Sequence, residues 1–166
     1  MVQCWQVSVG GKMAQELIRI LVFTVVGFFL MFLIQPWLFE NQILFIGDQN
    51  VQNWLSTQYQ RAAYLVAVFS VLSTILWYVL SSRAKILSVQ DNSQWRLLWW
   101  LIFLMPILSI GAALAFFNTS RDAQLWLAML FSANVLILFW LPTATSSPAA
   151  TKHLPPGSKL RKIFES

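Results

Sequence analysis

LLWWLIFLMPILSIGAALAFF, residues 97–117, carries no charged side chain along its whole length. A helix rises ~1.5 Å per residue and the hydrocarbon core of a bilayer is ~30 Å thick, so about 20 such residues reach across it. A membrane-spanning strand would instead alternate apolar and polar residues over about ten positions. This stretch does not alternate, and it is twice that long. Three more stretches read the same way: 17–38, interrupted only by Arg19, Thr24 and the Gln35-Pro36 pair, then 62–80 and 125–141. The predicted fold is an all-α membrane protein, with four transmembrane helices in an antiparallel bundle and both termini cytoplasmic.

The composition agrees. The chain has 166 residues, 58% hydrophobic and only 10% charged, with a mean hydropathy of +0.64. A soluble domain carries about a quarter charged residues. Six acids and eleven bases cannot hydrate a globule of this size. That excludes an ordinary cytosolic enzyme, a disordered chain and a nucleic-acid module. The first apolar run exceeds the ~7–15 residues of a secretory signal and no small-x-small site follows it, so it reads as a retained helix. Residues 1–16 form a cytoplasmic stretch in which 2–12 show no helical pattern, and Met13-Ala14-Gln15-Glu16 reads as an alternative start.

Orientation comes from the bases. Lys12, Arg19, Arg83, Lys85, Arg96, Lys152, Lys159, Arg161 and Lys162 fall on one side of a four-span topology, and only Arg61 and Arg121 on the other. Basic flanks stay cytoplasmic. Tryptophan favours the interface, where an apolar ring and a polar N–H are both accommodated. Trp37, Trp54 and Trp126 fall at outer ends, and Trp77, Trp95, Trp99, Trp100 and Trp140 at or near inner ends, as anchors would. The pI near 9.8 is then an orientation signal, and no nucleic-acid partner is implied.

Between the spans, 39–60 is expected to be an amphipathic outer loop. Asn50 caps a short helix with Val51, Trp54 and Leu55 on one face, and Arg61 is positioned to pair with Glu40 or Asp48. The brief connection at 118–124 makes the last two spans a hairpin. Residues 142–166 read as a flexible basic tail. Its Lys152, Lys159, Arg161 and Lys162 are drawn to anionic lipid or a partner, at about 1 kcal/mol per charge near the surface.

Chemistry-bearing patterns are scarce. Cys4 and His153 are single, and no phosphate loop, nucleophile turn or metal-ligand spacing is present. The sequence therefore predicts a non-catalytic protein with no cofactor. What it offers instead are polar and small residues at depth. Ser70 and Thr74, Gly111 and Ala115, and Ala128 and Ser132 are spaced i, i+4, the separation that lets helices approach closely. Ser109 and Asn134 complete the candidate packing or polar-path set. Asn134 is the most demanding, because an amide facing lipid leaves several atoms unsatisfied. Pro106 removes one backbone hydrogen bond and predicts a kink.

Three functions fit, in this order. The first is an accessory, stabilising or assembly subunit of a larger membrane complex, and the partners expected overall are the bilayer and other membrane subunits or further copies of the chain. The second is a small oligomeric channel or facilitator lined by Ser/Thr/Asn faces. The third is a binder of a hydrophobic cofactor or lipid. The expected location is a bacterial-type inner membrane or an organellar or thylakoid membrane.

Overall fold

A computed structural model describes the backbone of residues 3–47, 50–83, 89–117 and 121–146, and the side chains of 14–47, 50–82, 94–117 and 122–146. Every regular element among them is helical. Helix α1 runs Gln3–Phe29, passes through a wider π turn at Leu30–Ile34 and closes with Gln35–Glu40. Helix α2 comprises Val51–Trp54, a π turn at Leu55–Tyr59 and Gln60–Arg83. Helix α3 is Val89–Phe117. Helix α4 comprises Arg121–Val135, a π turn at Leu136–Trp140 and Leu141–Ala144. Each contains a stretch long and apolar enough to cross a membrane: Ala14–Glu40, Val51–Ser82, Gln94–Phe117 and Asp122–Ala144. By length and composition this is a multi-pass membrane protein.

All four helices outrun the apolar runs that announced them. The N-terminal stretch, which lacks helical periodicity, is nonetheless helical from Gln3. Extending an existing helix adds one hydrogen bond per residue fixed, whereas nucleation is the costly step. The expected loop at 39–60 is shorter than predicted, because α2 begins at Val51. Asn50 caps it as expected, its side chain accepting the Asn53 N–H at 3.2 Å. Trp54 and Leu55 are buried against the bundle, so this first turn packs on protein. Pro106 sits within an unbroken α3.

Helices α2 and α4 form the centre of the bundle. They touch each other, α3 contacts both, and α1 packs on their other side. Burial follows: 39% of the apolar window is covered in α2 and in α4, 28% in α3 and 11% in α1. The core has two parts. One gathers Met31, Phe39, Trp54, Tyr59, Phe131 and their neighbours, where α1 closes and α2 begins. The other stacks Trp99 on Phe103 and Phe103 on Phe139, with Trp77 beside them. Three expected interface anchors, Trp54, Trp77 and Trp99, are therefore core residues, at most 1% exposed. Trp37, Trp100 and Trp126 do lie on the surface. Indole area stabilises helix packing as readily as it anchors a headgroup, and periodicity along a uniformly apolar helix does not distinguish the two.

The segment after α1 folds back tightly. Gln42 adopts φ 55°, and the Ile43 and Leu44 amides both donate to the Leu38 carbonyl, at 3.0 and 3.2 Å. Ile46 then enters the core while Ile43 and Phe45 remain exposed. Arg61 and Glu40 are both exposed and make no ion pair with each other. The proposed alternative partner, Asp48, lies outside the described residues.

Candidate functional site

The polar groups of the spans collect where helices cross, and two of the crossings are made by prolines. In α1 the π turn sends the Gln35 N–H to the Leu30 carbonyl. The Met31 carbonyl thereby loses its normal i+4 donor, and the residue one further on is Pro36, which has no N–H. A carbonyl left this way inside an apolar bundle costs several kcal/mol. Tyr59 of α2 satisfies it: its hydroxyl lies 2.6 Å from the Met31 oxygen and 2.8 Å from Gln35 Oε1. Asn134 of α4 donates from Nδ2 to that same Oε1 at 3.1 Å. Gln35, Tyr59 and Asn134 are 5%, 1% and 1% exposed, so three helices are clamped through one dry polar cluster. The Asn134 Oδ1 has no partner.

A similar device sits at the other proline. The Leu138 carbonyl faces Pro142 at i+4 and gets no backbone donor from it. Thr74 of α2 supplies a hydroxyl at 2.7 Å, while also lying 3.0 Å from the Ser70 carbonyl. Thr74→Val keeps the shape and removes the donor. It is expected to lower stability by about 1 kcal/mol, within the range of interhelical hydrogen bonds in bilayers. The midpoint of SDS-induced unfolding in mixed micelles measures that loss, and an unchanged midpoint would show that the Leu138 carbonyl needs no partner.

A third cluster lies beside Pro142. Buried Glu16 pairs with Arg19 at 3.1 Å. Arg19 also donates to the Thr145 carbonyl. The Tyr78 hydroxyl reaches the Pro142 carbonyl at 2.8 Å and Glu16 Oε2 at 3.3 Å. Trp99 donates from Nε1 to Thr143 Oγ1 at 3.2 Å. The start of the membrane-crossing stretch of α1 is thus tied to the end of α4 and to the second half of α2.

The candidate residues from the sequence divide into two groups. Ser70, Thr74, Ser109 and Asn134 are buried, and the first three donate to helix carbonyls (Ser109 to Pro106 at 2.7 Å). Gly111, Ala115 and Ser132 are exposed and Ala128 is half-buried. Gly111, Ala115 and Ala128 line an open groove with Leu114, Gln124 and Leu125. A Cβ at Gly111 would meet nothing within 4 Å, so the space beside Gly111 in this groove between α3 and α4 is open. Lys152, Lys159, Arg161 and Lys162 lie outside the described residues.

Sequence reasoning missed Gln35, Tyr59, Glu16, Tyr78 and Gly27. A Cβ on Gly27 would lie 2.7 Å from Leu138 Cγ, so this glycine lets α1 close onto α4. A glutamine immediately before a proline inside an otherwise apolar run was the available signal, because such an amide requires a partner wherever the helix continues.

One cleft combines polar and apolar walls. It encloses about 290 Å³ between the close of α1 and the start of α2, lined by Phe32, Pro36, Glu40, Gln52, Leu55, Ser56, Tyr59 and Gln60. No group of three metal-ligating side chains occurs among the described residues. No known protein family, curated protein or solved structure matches this chain.

Proposed function

We propose that this chain is an accessory, stabilising or assembly subunit of a larger membrane complex. In this reading it is an antiparallel four-helix bundle with both termini cytoplasmic, in a bacterial-type inner membrane or an organellar or thylakoid membrane. The observation that carries the reading is the asymmetry of α1. One stripe, from Glu16 through Gly27 and Met31 to Gln35 and Phe39, is buried. The remainder presents Leu17, Leu21, Val25, Phe29 and Leu33, each at least 52% exposed. A helix held rigidly along one side by polar clamps offers a preformed apolar face to a partner helix, and preformed faces lose little entropy on association.

The antiparallel arrangement is supported by which residues meet: Gln35 with Tyr59 and Asn134, Glu16 with Tyr78, and Arg19 with Thr145. The nine-to-two split of bases supports cytoplasmic termini. A cytoplasm-active reporter fused after Ser166 is expected to be active, and an export-active reporter there to be silent. The opposite pair of results would reverse the orientation.

The channel reading requires Ser70, Thr74 and Asn134 to face a shared lumen. It is less favoured, because Ser70 and Thr74 bond to helix carbonyls and Asn134 to Gln35. Native electrophoresis in mild detergent tests the subunit reading. The expected result is one discrete species containing other membrane proteins in fixed proportion. A monomer or a pure homo-oligomer would overturn it.

A further inference from the structure

We propose that the cleft between the close of α1 and the start of α2 seats the head group of an aminophospholipid. Its primary ammonium rests on Glu40 and one acyl chain lies along α1. The inference rests on insertion of the four helices in a bilayer, and a lipid seated in this way shares Val25, Phe29 and Leu33 with the face that the subunit reading gives to a partner.

The polar rim is rich in uncommitted acceptors. The Glu40 carboxylate forms no hydrogen bond or ion pair among the described residues, and the Gln52 and Gln60 amides are likewise free. All three are exposed at the cleft mouth. A primary ammonium carries three N–H donors on one compact charge and suits a carboxylate flanked by amide oxygens. The amide NH2 groups remain available to a phosphate. A trimethylammonium head has no N–H to give.

The floor of the cleft supplies the tail. Phe32, Pro36 and Leu55 form its apolar side. Phe32 is shared with a second groove, lined by Thr24, Val25, Phe28, Phe29, Phe32 and Leu33, that runs down α1. From Phe32 to Thr24 is roughly 12 Å of helix axis, at ~1.5 Å per residue, a length that one leaflet of an acyl chain covers. Head-group chemistry at one end and, beyond the shared Phe32, a mainly apolar groove along α1 describe an amphiphile more closely than a soluble amine.

The full chain, reconstituted in nanodiscs with equal phosphatidylethanolamine and phosphatidylcholine of identical acyl chains, is released into native mass spectrometry and its retained lipids are counted. The expected result is about a fivefold preference for the ethanolamine lipid, the scale of one net hydrogen bond that a trimethylammonium cannot donate. Glu40→Gln is expected to reduce that preference to near unity with an unchanged unfolding midpoint, since Glu40 is exposed and unpaired. Ser56→Trp, which fills the cleft from an exposed position, is expected to reduce retention of both lipids. Glycerophosphoethanolamine, the head group without tails, is expected not to displace the bound lipid. Equal retention of the two lipids by the wild type, or an undiminished preference in Glu40→Gln, would overturn the proposal. Displacement by the tail-less compound at matched concentration would do the same, by showing that the trough contributes nothing.

Discussion

Gly27→Ile is expected to lower the stability of the bundle by about 3 kcal/mol, the upper range for overpacking a filled core. A Cβ at this position already lies 2.7 Å from Leu138 Cγ, and Ile adds three more carbons beyond it. Leu138 is 1% exposed, so its side chain has little free volume into which four added carbons could push it. Gly27→Ala is expected to cost about 1 kcal/mol, because a single methyl is met by the end of a flexible side chain. The informative comparison is the double variant Gly27→Ile/Leu138→Ala. It transfers volume from one helix to the other and should recover most of the loss, as volume-conserving exchanges do. SDS-induced unfolding of purified protein reads all three. A Gly27→Ile variant as stable as the wild type would show that α1 and α4 do not meet at this depth.

Gln35→Leu is expected to cost about 2 kcal/mol. It deprives the Asn134 Nδ2 of its acceptor in a site where neither group reaches water, and an orphaned buried donor carries its full desolvation penalty. Asn134→Leu should cost a similar amount. The double variant Gln35→Leu/Asn134→Leu should be less destabilised than the sum of the two, and close to either alone, because it leaves no unpaired amide. Tyr59 keeps the Met31 carbonyl in every case, at 2.6 Å, so the helix itself survives. Strict additivity of the two single losses would mean that the amides act independently and that the clamp is not one unit.

These two positions also show where the sequence was readable. The existence of four helices follows from uninterrupted apolar length and needs no tertiary information. Their extent does not. Gln35-Pro36 reads as a helix end because proline removes a donor and an amide seeks water. Yet α1 continues to Glu40, since Tyr59 supplies the missing hydrogen bond from a residue 28 positions away. A local signal for stopping was overridden by a partner that no local pattern reveals.

Helix facing was equally hidden. In a helix that is apolar all round, periodicity carries no direction, so Trp54, Trp77 and Trp99 looked like anchors and are core. The small-residue spacing marks where a helix could approach, without saying whether one is there. Gly111 and Ala115 have the spacing and are exposed, while Gly27, with no small partner at i+4, is the one packed directly against Leu138 of α4. Asn134 was legible for a firmer reason: an amide at that depth must be bonded, and its acceptor proved to be Gln35.

The most direct test of the account is site-specific photo-crosslinking in the native membrane from Leu21, Val25 and Phe29, which are 63%, 59% and 52% exposed along the uncovered side of α1. The account requires a single discrete adduct with another membrane protein at all three positions. It also requires no such adduct from a probe at exposed Leu108 of α3, away from that face. Adducts to lipid alone, or only to further copies of the same chain, would contradict the assignment of this protein as a subunit of a larger complex.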